Sequence, residues 1–233
     1  MRVRVPVLGV VGHRKSGKTA VIEGIVRELT KRGYRVATAK HTGQKDFSMD
    51  AKGKDTWRHS MAGANPVVCV SDVEIAILIK NGEADFALDK LFEFLPEVDV
   101  LVLEGFSKLV LDDETIGKIL CVRDREEYED LRQKVRGEIV ASCSTQPLGS
   151  PILTIKEDSR ILIERTLKYI EGKILELKSG LKTTVIVNST DISLNPFVSE
   201  IIRKSVLGMA SSLKGVSISG NEEVFIKILR HRW

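Results

Sequence analysis

Eight consecutive residues carry the clearest chemistry in this sequence. Gly12-His13-Arg14-Lys15-Ser16-Gly17-Lys18-Thr19 satisfies G-x-x-x-x-G-K-[ST] in full. The glycines permit a tight loop whose backbone N–H groups converge on phosphate oxygens. Lys18 brings positive charge to the β and γ phosphates, and Thr19 offers a hydroxyl to Mg²⁺ at a helix N-terminus whose dipole favours anions. The pattern arises by chance in roughly one chain in a hundred of this length, given ordinary glycine usage. Here an apolar strand candidate runs into it and an amphipathic helix candidate leaves it, so all eight residues are expected to line a phosphate site.

Mg²⁺ wants oxygen ligands beyond a single hydroxyl. The most apolar run, Val98 to Leu103, ends at Glu104-Gly105-Phe106, which puts the Glu104 carboxylate just past a strand's C-terminal edge, where ligands collect in open α/β sheets. Asp99 lies within the run and is the weaker candidate. Lys40-His41 closes another strand at the presumed ligand edge, to hold an anion or position water, or as an ordinary structural histidine. Asp50-Ala-Lys-Gly53-Lys54-Asp55-Thr-Trp-Arg58 mixes donors and acceptors just before a helix. It reads either as a solvated charged loop or as a binding segment downstream of that edge.

The elements that must position these residues follow from periodicity. Val3 to Val11 is a short β-branched run ending at glycine, a buried strand. Ala20, Val21, Ile22, Ile25, Val26 and Leu29 recur at helical spacing until Gly33 stops the helix, and Tyr34 to Ala39 gives a second strand. Strand–helix–strand is a βαβ unit, which builds parallel sheets covered by helices. Further strands are expected at 66–70, 74–80, 98–103, 116–122, 138–141 and 152–155, and helices at 85–95, 126–135 and 159–175. The fold class is therefore α/β, a P-loop NTPase-type, mostly parallel sheet with flanking helices over residues 1–176. A small α+β C-terminal module over 181–233 follows. It has a hairpin around Ser189-Thr-Asp191, a helix capped by Asn195 with Pro196 at its first position, and strands at 216–219 and 224–229. About fifty residues is marginal for an independent core, so the module is expected to pack on the main domain or on a second copy.

Composition excludes several classes. The 233 residues hold 42% apolar and 29% charged side chains, ordinary globular usage, and 36 basic minus 32 acidic residues leaves +4, too mild for a nucleic-acid protein. No apolar run approaches the ~18 residues a membrane span needs, and the N-terminus lacks an apolar stretch long enough for a secretory signal. The three cysteines are widely spaced, and the two inside apolar runs, Cys69 and Cys121, read as small buried side chains in a reducing compartment. The expectation is a soluble, cytoplasmic protein with neither nucleic-acid nor membrane partners.

Taken together, these residues resemble the MobB family of molybdopterin-guanine dinucleotide biosynthesis adaptor proteins. The likeness spans about residues 5–170. Its signature is Gly12–Thr19, then Val36-Ala-Thr-Ala-Lys40-His41, Asp50-x-x-Gly53-Lys54-Asp55-Thr56-x-Arg58 with Ala62-Gly63-Ala64, Leu101-Val-Leu-Glu104-Gly105-Phe106 and Ile116-Gly-Lys118-Ile119. It departs from the pattern at Thr42-Gly43-Gln44, where further histidines are frequent, at Ser107 before Lys108, and at Gly117 in place of proline. The resemblance implies a GTP-binding, typically dimeric protein, at most a weak Mg²⁺-dependent GTPase. It would assist a MobA-like molybdopterin guanylyltransferase in forming the guanine dinucleotide of the molybdenum or tungsten cofactor. Gly12, Gly17, Lys18 and Thr19 would then hold GTP and Mg²⁺, with Glu104 on the metal side. Lys40, His41, Gly53, Lys54, Asp55 and Arg58 would line the nucleotide or pterin-phosphate face. Guanine preference rests on the resemblance alone, because Asn188-Ser-Thr-Asp191 reads as hairpin chemistry. Two other readings stand beside this one: a small-molecule P-loop kinase, with 46–58 as acceptor site, and an interaction module resting on the C-terminal unit.

Overall fold

A computed structural model of the chain describes residues 5–44, 47–80, 88–95, 97–179, 183, 185–187, 190–192 and 194–214. In chain order the elements begin β1 (Val7–Val11), α1 (Lys18–Lys31), β2 (Val36–Lys40), α2 (Asp55–Met61), β3 (Val67–Val70) and β4 (Ile75–Leu78). Then come α3 (Leu88–Phe94), β5 (Val100–Glu104), α4 (Ser107–Asp112), β6 (Gly117–Val122), α5 (Arg125–Lys134), β7 (Ile139–Ser144) and β8 (Leu153–Thr154). The last are α6 (Ser159–Ser179), β9 (Val185–Val187), β10 (Thr190–Ile192) and α7 (Pro196–Ser211).

Six strands form one sheet in the order β2-β5-β1-β6-β7-β8, every pair parallel. Because every strand of the sheet centre is buried on both faces, its sequence reads as an unbroken apolar run, and alternate residues serve opposite layers. Leu8 and Val10 of β1, Val100 and Val102 of β5, and Ile119 and Cys121 of β6 face α1 and α6 through Val21, Ile25, Leu29, Leu162 and Ile170. Val7 and Val11, Leu101 and Leu103, and Leu120 and Val122 face α3, α4 and α5 through Leu88, Val110, Tyr128 and Leu131. The short α4 sits close because β1 carries Gly9 beneath it: a Cβ there would lie 2.2 Å from Val110 Cγ1. The departure at Gly117 has a similar cause, since the Tyr169 ring lies where its Cβ would be, with Cζ at 2.4 Å.

The strands expected at 66–70 and 74–80 form as β3 and β4; they lie outside the parallel sheet and pair with each other as an antiparallel hairpin, which corrects the expectation of a buried cysteine at 69. Cys69 on that hairpin is accordingly exposed, whereas Cys121 and Cys143, opposite each other on β6 and β7, are buried. The apolar run at 66–70 fixes strand conformation but says nothing of which strand it pairs with. Near the C-terminus the hairpin β9–β10 forms, and Asn195 caps α7 by accepting from Val198 N at 2.9 Å. Thr190 and Asp191, expected at the hairpin's turn, lie in β10, while the strands expected at 216–219 and 224–229, and residues 188–189, lie outside the described residues.

Candidate nucleotide site

β1 delivers the chain to the carboxyl edge of the sheet at Gly12, and α1 departs at Lys18. The intervening loop is held by close backbone packing. Gly12 has φ 150°, and a Cβ there would fall 1.9 Å from the Cys121 carbonyl oxygen, so no side chain fits. Gly17 occupies the left-handed region at φ 89° immediately before α1, with the Ile155 side chain 2.5 Å from where its Cβ would stand. Ser16 is buried and its Oγ donates to His13 O at 2.9 Å. Arg14 and Lys15 are exposed. No side-chain cap closes the N-terminus of α1 and its first turn holds no acidic residue, which leaves that end of the helix able to receive an anion.

Lys18 Nζ donates to Gly12 O at 2.9 Å and to His13 O at 2.6 Å, so its ammonium rests on the loop's own carbonyls. Beside it, Thr19 Oγ1 donates to Glu104 Oε1 at 3.4 Å. Glu104 ends β5, which lies next to β1, and its carboxyl is largely sheltered; Lys40, at the end of β2, pairs with the same Oε1 at 3.0 Å. His41 N donates to Glu104 O at 2.9 Å, Gly105 N donates to Val10 O at 3.2 Å, and the His41 and Phe106 rings pack 5.4 Å apart. Thr19, Lys40, His41 and Glu104, drawn from two strand ends and one helix, therefore converge beside the loop. Asp99 sits instead at the opposite edge, bound to Arg35 Nη2 at 3.0 Å. A hydroxyl and a carboxylate this close are the hard oxygen donors Mg²⁺ takes, with phosphate oxygens and water completing its shell. Among the described residues, three His, Cys, Asp or Glu side chains do not cluster as an all-protein metal cage.

The segment around Gly53 is built differently. Asp55 and Arg58 lie in α2 rather than before it. The recorded ties of this stretch are local, Thr56 Oγ1 donating to Asp50 Oδ1 at 2.7 Å and Arg58 pairing with Asp55 at 3.8 Å. The structure does not join Gly53, Lys54, Asp55 and Arg58 to the phosphate loop by a hydrogen bond or ion pair.

One side chain outside the motif bonds to the loop's first peptide and is itself held by a neighbour. Glu127, in the first turn of α5, takes His13 N at 3.2 Å and also pairs with His13 Nδ1, while Arg123 binds its other oxygen. In sequence Asp124-x-x-Glu127 reads as a capping box, in which the glutamate would serve its own helix. Only half of that box forms: Asp124 Oδ1 accepts from Glu127 N at 2.8 Å, and the Glu127 carboxylate is turned to the loop. That local reading is why periodicity and spacing do not single it out.

A family model described as molybdopterin guanine dinucleotide synthesis protein B, MobB, matches residues 7–145. The chain belongs to the MobB family. A putative molybdopterin-guanine dinucleotide biosynthesis adapter protein of Methanocaldococcus jannaschii is 27% identical over 228 residues, 90% of this chain and 92% of that protein. The molybdopterin-guanine dinucleotide biosynthesis adapter protein of Haemophilus influenzae is 31% identical over 178 residues, 74% of this chain and 95% of its own. A crystal structure of molybdopterin-guanine biosynthesis protein B superposes with a TM-score of 0.54 at 31% identity, covering 71% of this chain and 99% of the other. Bacillus subtilis MobB gives 0.54 at 26% identity, over 72% and 99%. The parallel sheet and its flanking helices are thus the MobB fold, and the phosphate loop, the Lys40–His41 strand end and Glu104 all fall within the matched residues. Among the described residues, no helix is long and apolar enough to cross a membrane.

Proposed function

We propose that this MobB-family chain binds GTP with Mg²⁺ at Gly12–Thr19 and acts as an accessory protein in forming the molybdopterin guanine dinucleotide cofactor, of molybdenum or tungsten. Its partner in this reading is a MobA-like guanylyltransferase. One observation carries the nucleotide part: Lys18 and Thr19 stand at the open N-terminus of α1 with Glu104 3.4 Å from the threonine hydroxyl. The names of the relatives supply the pathway. Loop amides and the α1 N-terminus bind the phosphates, Lys18 exchanges its loop carbonyls for phosphate oxygens, and Thr19 and Glu104 hold Mg²⁺, which neutralises phosphate charge when bound. Lys40 and His41, at the same edge, face the nucleotide or the pterin phosphate. Gly53, Lys54, Asp55 and Arg58 belong to that face in the same reading. Hydrolysis is slow or absent, so the nucleotide serves as a bound switch. The division into a nucleotide-binding unit over 1–176 and an appended module over 181–233 is part of the proposal. So is a cytoplasmic homodimer, joined through the exposed face of β3–β4.

The test is a thermal-shift screen of GTP, ATP and their diphosphates with Mg²⁺, on the wild type and Lys18→Ala. A ligand that binds only the native state raises the melting temperature by mass action. GTP with Mg²⁺ is expected to raise it by several degrees in the wild type and not in Lys18→Ala, whose melting without nucleotide stays that of the wild type. Equal shifts in both proteins, or none in the wild type, would reject the reading.

A further inference from the structure

The phosphate loop is gripped by a buried side chain that its own motif does not contain. The Glu127 side chain is only 5% exposed. Its Oε1 accepts from His13 N at 3.2 Å and pairs with His13 Nδ1, 114 residues away in sequence; its Oε2 accepts from Arg123 N and Arg123 Nε, each at 3.0 Å. Burial alone would push the carboxyl up, but the hydrogen bonds from His13 and Arg123 outweigh it and hold it down at about 2. It is a fully ionised, fully engaged carboxylate.

Its grip falls on a particular peptide. The Gly12–His13 amide gives its N–H to Glu127 and its carbonyl oxygen to Lys18 Nζ, at 2.9 Å. An anion and a cation hold opposite ends of one peptide plane. A lysine that moves onto phosphate must leave the carbonyls of Gly12 and His13, and the N–H bond to Glu127 is then the charged tie that remains. Gly12 itself packs against the Cys121 carbonyl, so a tilt of this peptide would carry the start of the loop into backbone.

We propose that Glu127 is a positioning residue of the nucleotide site, keeping the first peptide of the phosphate loop in place while Lys18 transfers from the loop carbonyls to bound phosphate. This rests on the reading that the loop binds a nucleoside triphosphate. Glu127 touches no ligand; it keeps the amides set, so that binding does not have to order them.

Glu127→Gln tests it, because the amide keeps the size of the side chain but loses the charge and turns an NH₂ toward His13 or Arg123. Asp130→Asn removes a charge elsewhere on α5, where Asp130 pairs with Lys134, and is the control. GTP with Mg²⁺ is titrated calorimetrically, and amide hydrogen exchange is followed without nucleotide. Loss of a charged hydrogen bond predicts GTP affinity weaker by about tenfold or more in Glu127→Gln, and unchanged in Asp130→Asn. Exchange should quicken over 12–19 while β5 and β7 keep their protection. Wild-type affinity in Glu127→Gln, or protection lost equally in strands and loop, overturns the proposal. A wild type that binds neither GTP nor ATP defeats the nucleotide reading beneath it. Should Glu127→Gln not fold, the wild type decides: without nucleotide, the His13 amide should exchange far more slowly than that of exposed Lys15, and equal rates overturn the inference.

Discussion

At the scale of single residues, the Oε1 atom of Glu104 is the most contested atom of the site. Thr19 Oγ1 donates to it at 3.4 Å and Lys40 Nζ pairs with it at 3.0 Å. The ammonium of Lys40 is largely exposed, and ion pairs of that kind are worth about 0–1 kcal/mol, so the pair opens readily to a stronger competitor. A divalent ion at Thr19 is such a competitor for the carboxylate, and a phosphate is one for the lysine. Glu104→Gln should therefore weaken GTP binding by about tenfold in Mg²⁺, because a charged oxygen ligand is lost. In EDTA the same substitution should leave affinity unchanged or slightly tighter, since Lys40 is released toward phosphate. Paired titrations with and without the metal separate the two terms, and an equal weakening in both would remove Glu104 from the metal side.

At the scale of elements, much of the architecture is legible because local signals agree. The β-branched run at β1, the helical period of α1 ending before Gly33, and the Asn195–Pro196 start of α7 each appear where sequence spacing puts them. What spacing does not encode is partnership. Nothing in Val100–Glu104 says that it inserts between β1 and β2, and nothing in Val67–Val70 says that it leaves the sheet; both depend on contacts between segments far apart in sequence. The Glu127 grip on the loop is hidden for the same reason. Lys118 is a third case. In sequence it belongs to a motif, and in the structure it is a fully buried lysine whose ammonium donates to Asp113 O and Arg136 O, tying the α4–β6 and α5–β7 connections together. Burial pushes its pKa down, and the charges of Asp113 and Glu114 partly restore it. Lys118→Met fills similar space but leaves two carbonyls without their donor. Unfolding in urea should show a loss of about 2 kcal/mol, with nucleotide affinity retained because the change lies at the far end of β6 from the loop. Wild-type stability in Lys118→Met would mean that those carbonyls find water without cost.

At the scale of the whole molecule, the hairpin β3–β4 is the apolar surface least accounted for by the fold. Its register sets Val68 opposite Ile77 and Val70 opposite Ile75, so all four side chains share one face. They are 53%, 51%, 68% and 67% exposed, respectively, at a place where the chain has left its sheet. A two-stranded ribbon with a bare apolar face is marginal in water, and a second copy of the same ribbon is complementary to it by symmetry. The α7 helix also leaves Phe197, Ile201 and Met209 exposed, but its neighbours beyond residue 214 lie outside the described chain, so the hairpin gives the cleaner test of the proposed homodimer. Val68→Ser combined with Ile77→Ser removes a directly opposed pair while keeping strand-compatible residues. Sedimentation of the full-length protein should then give the mass of one chain where the wild type gives two, at the same concentration and with GTP affinity preserved. The hairpin lies outside the sheet that carries the phosphate loop, so binding and association should separate in this variant. A variant that stays dimeric would place the interface elsewhere, and a wild type that sediments as one chain would remove the dimer from the proposal while leaving the nucleotide site untouched.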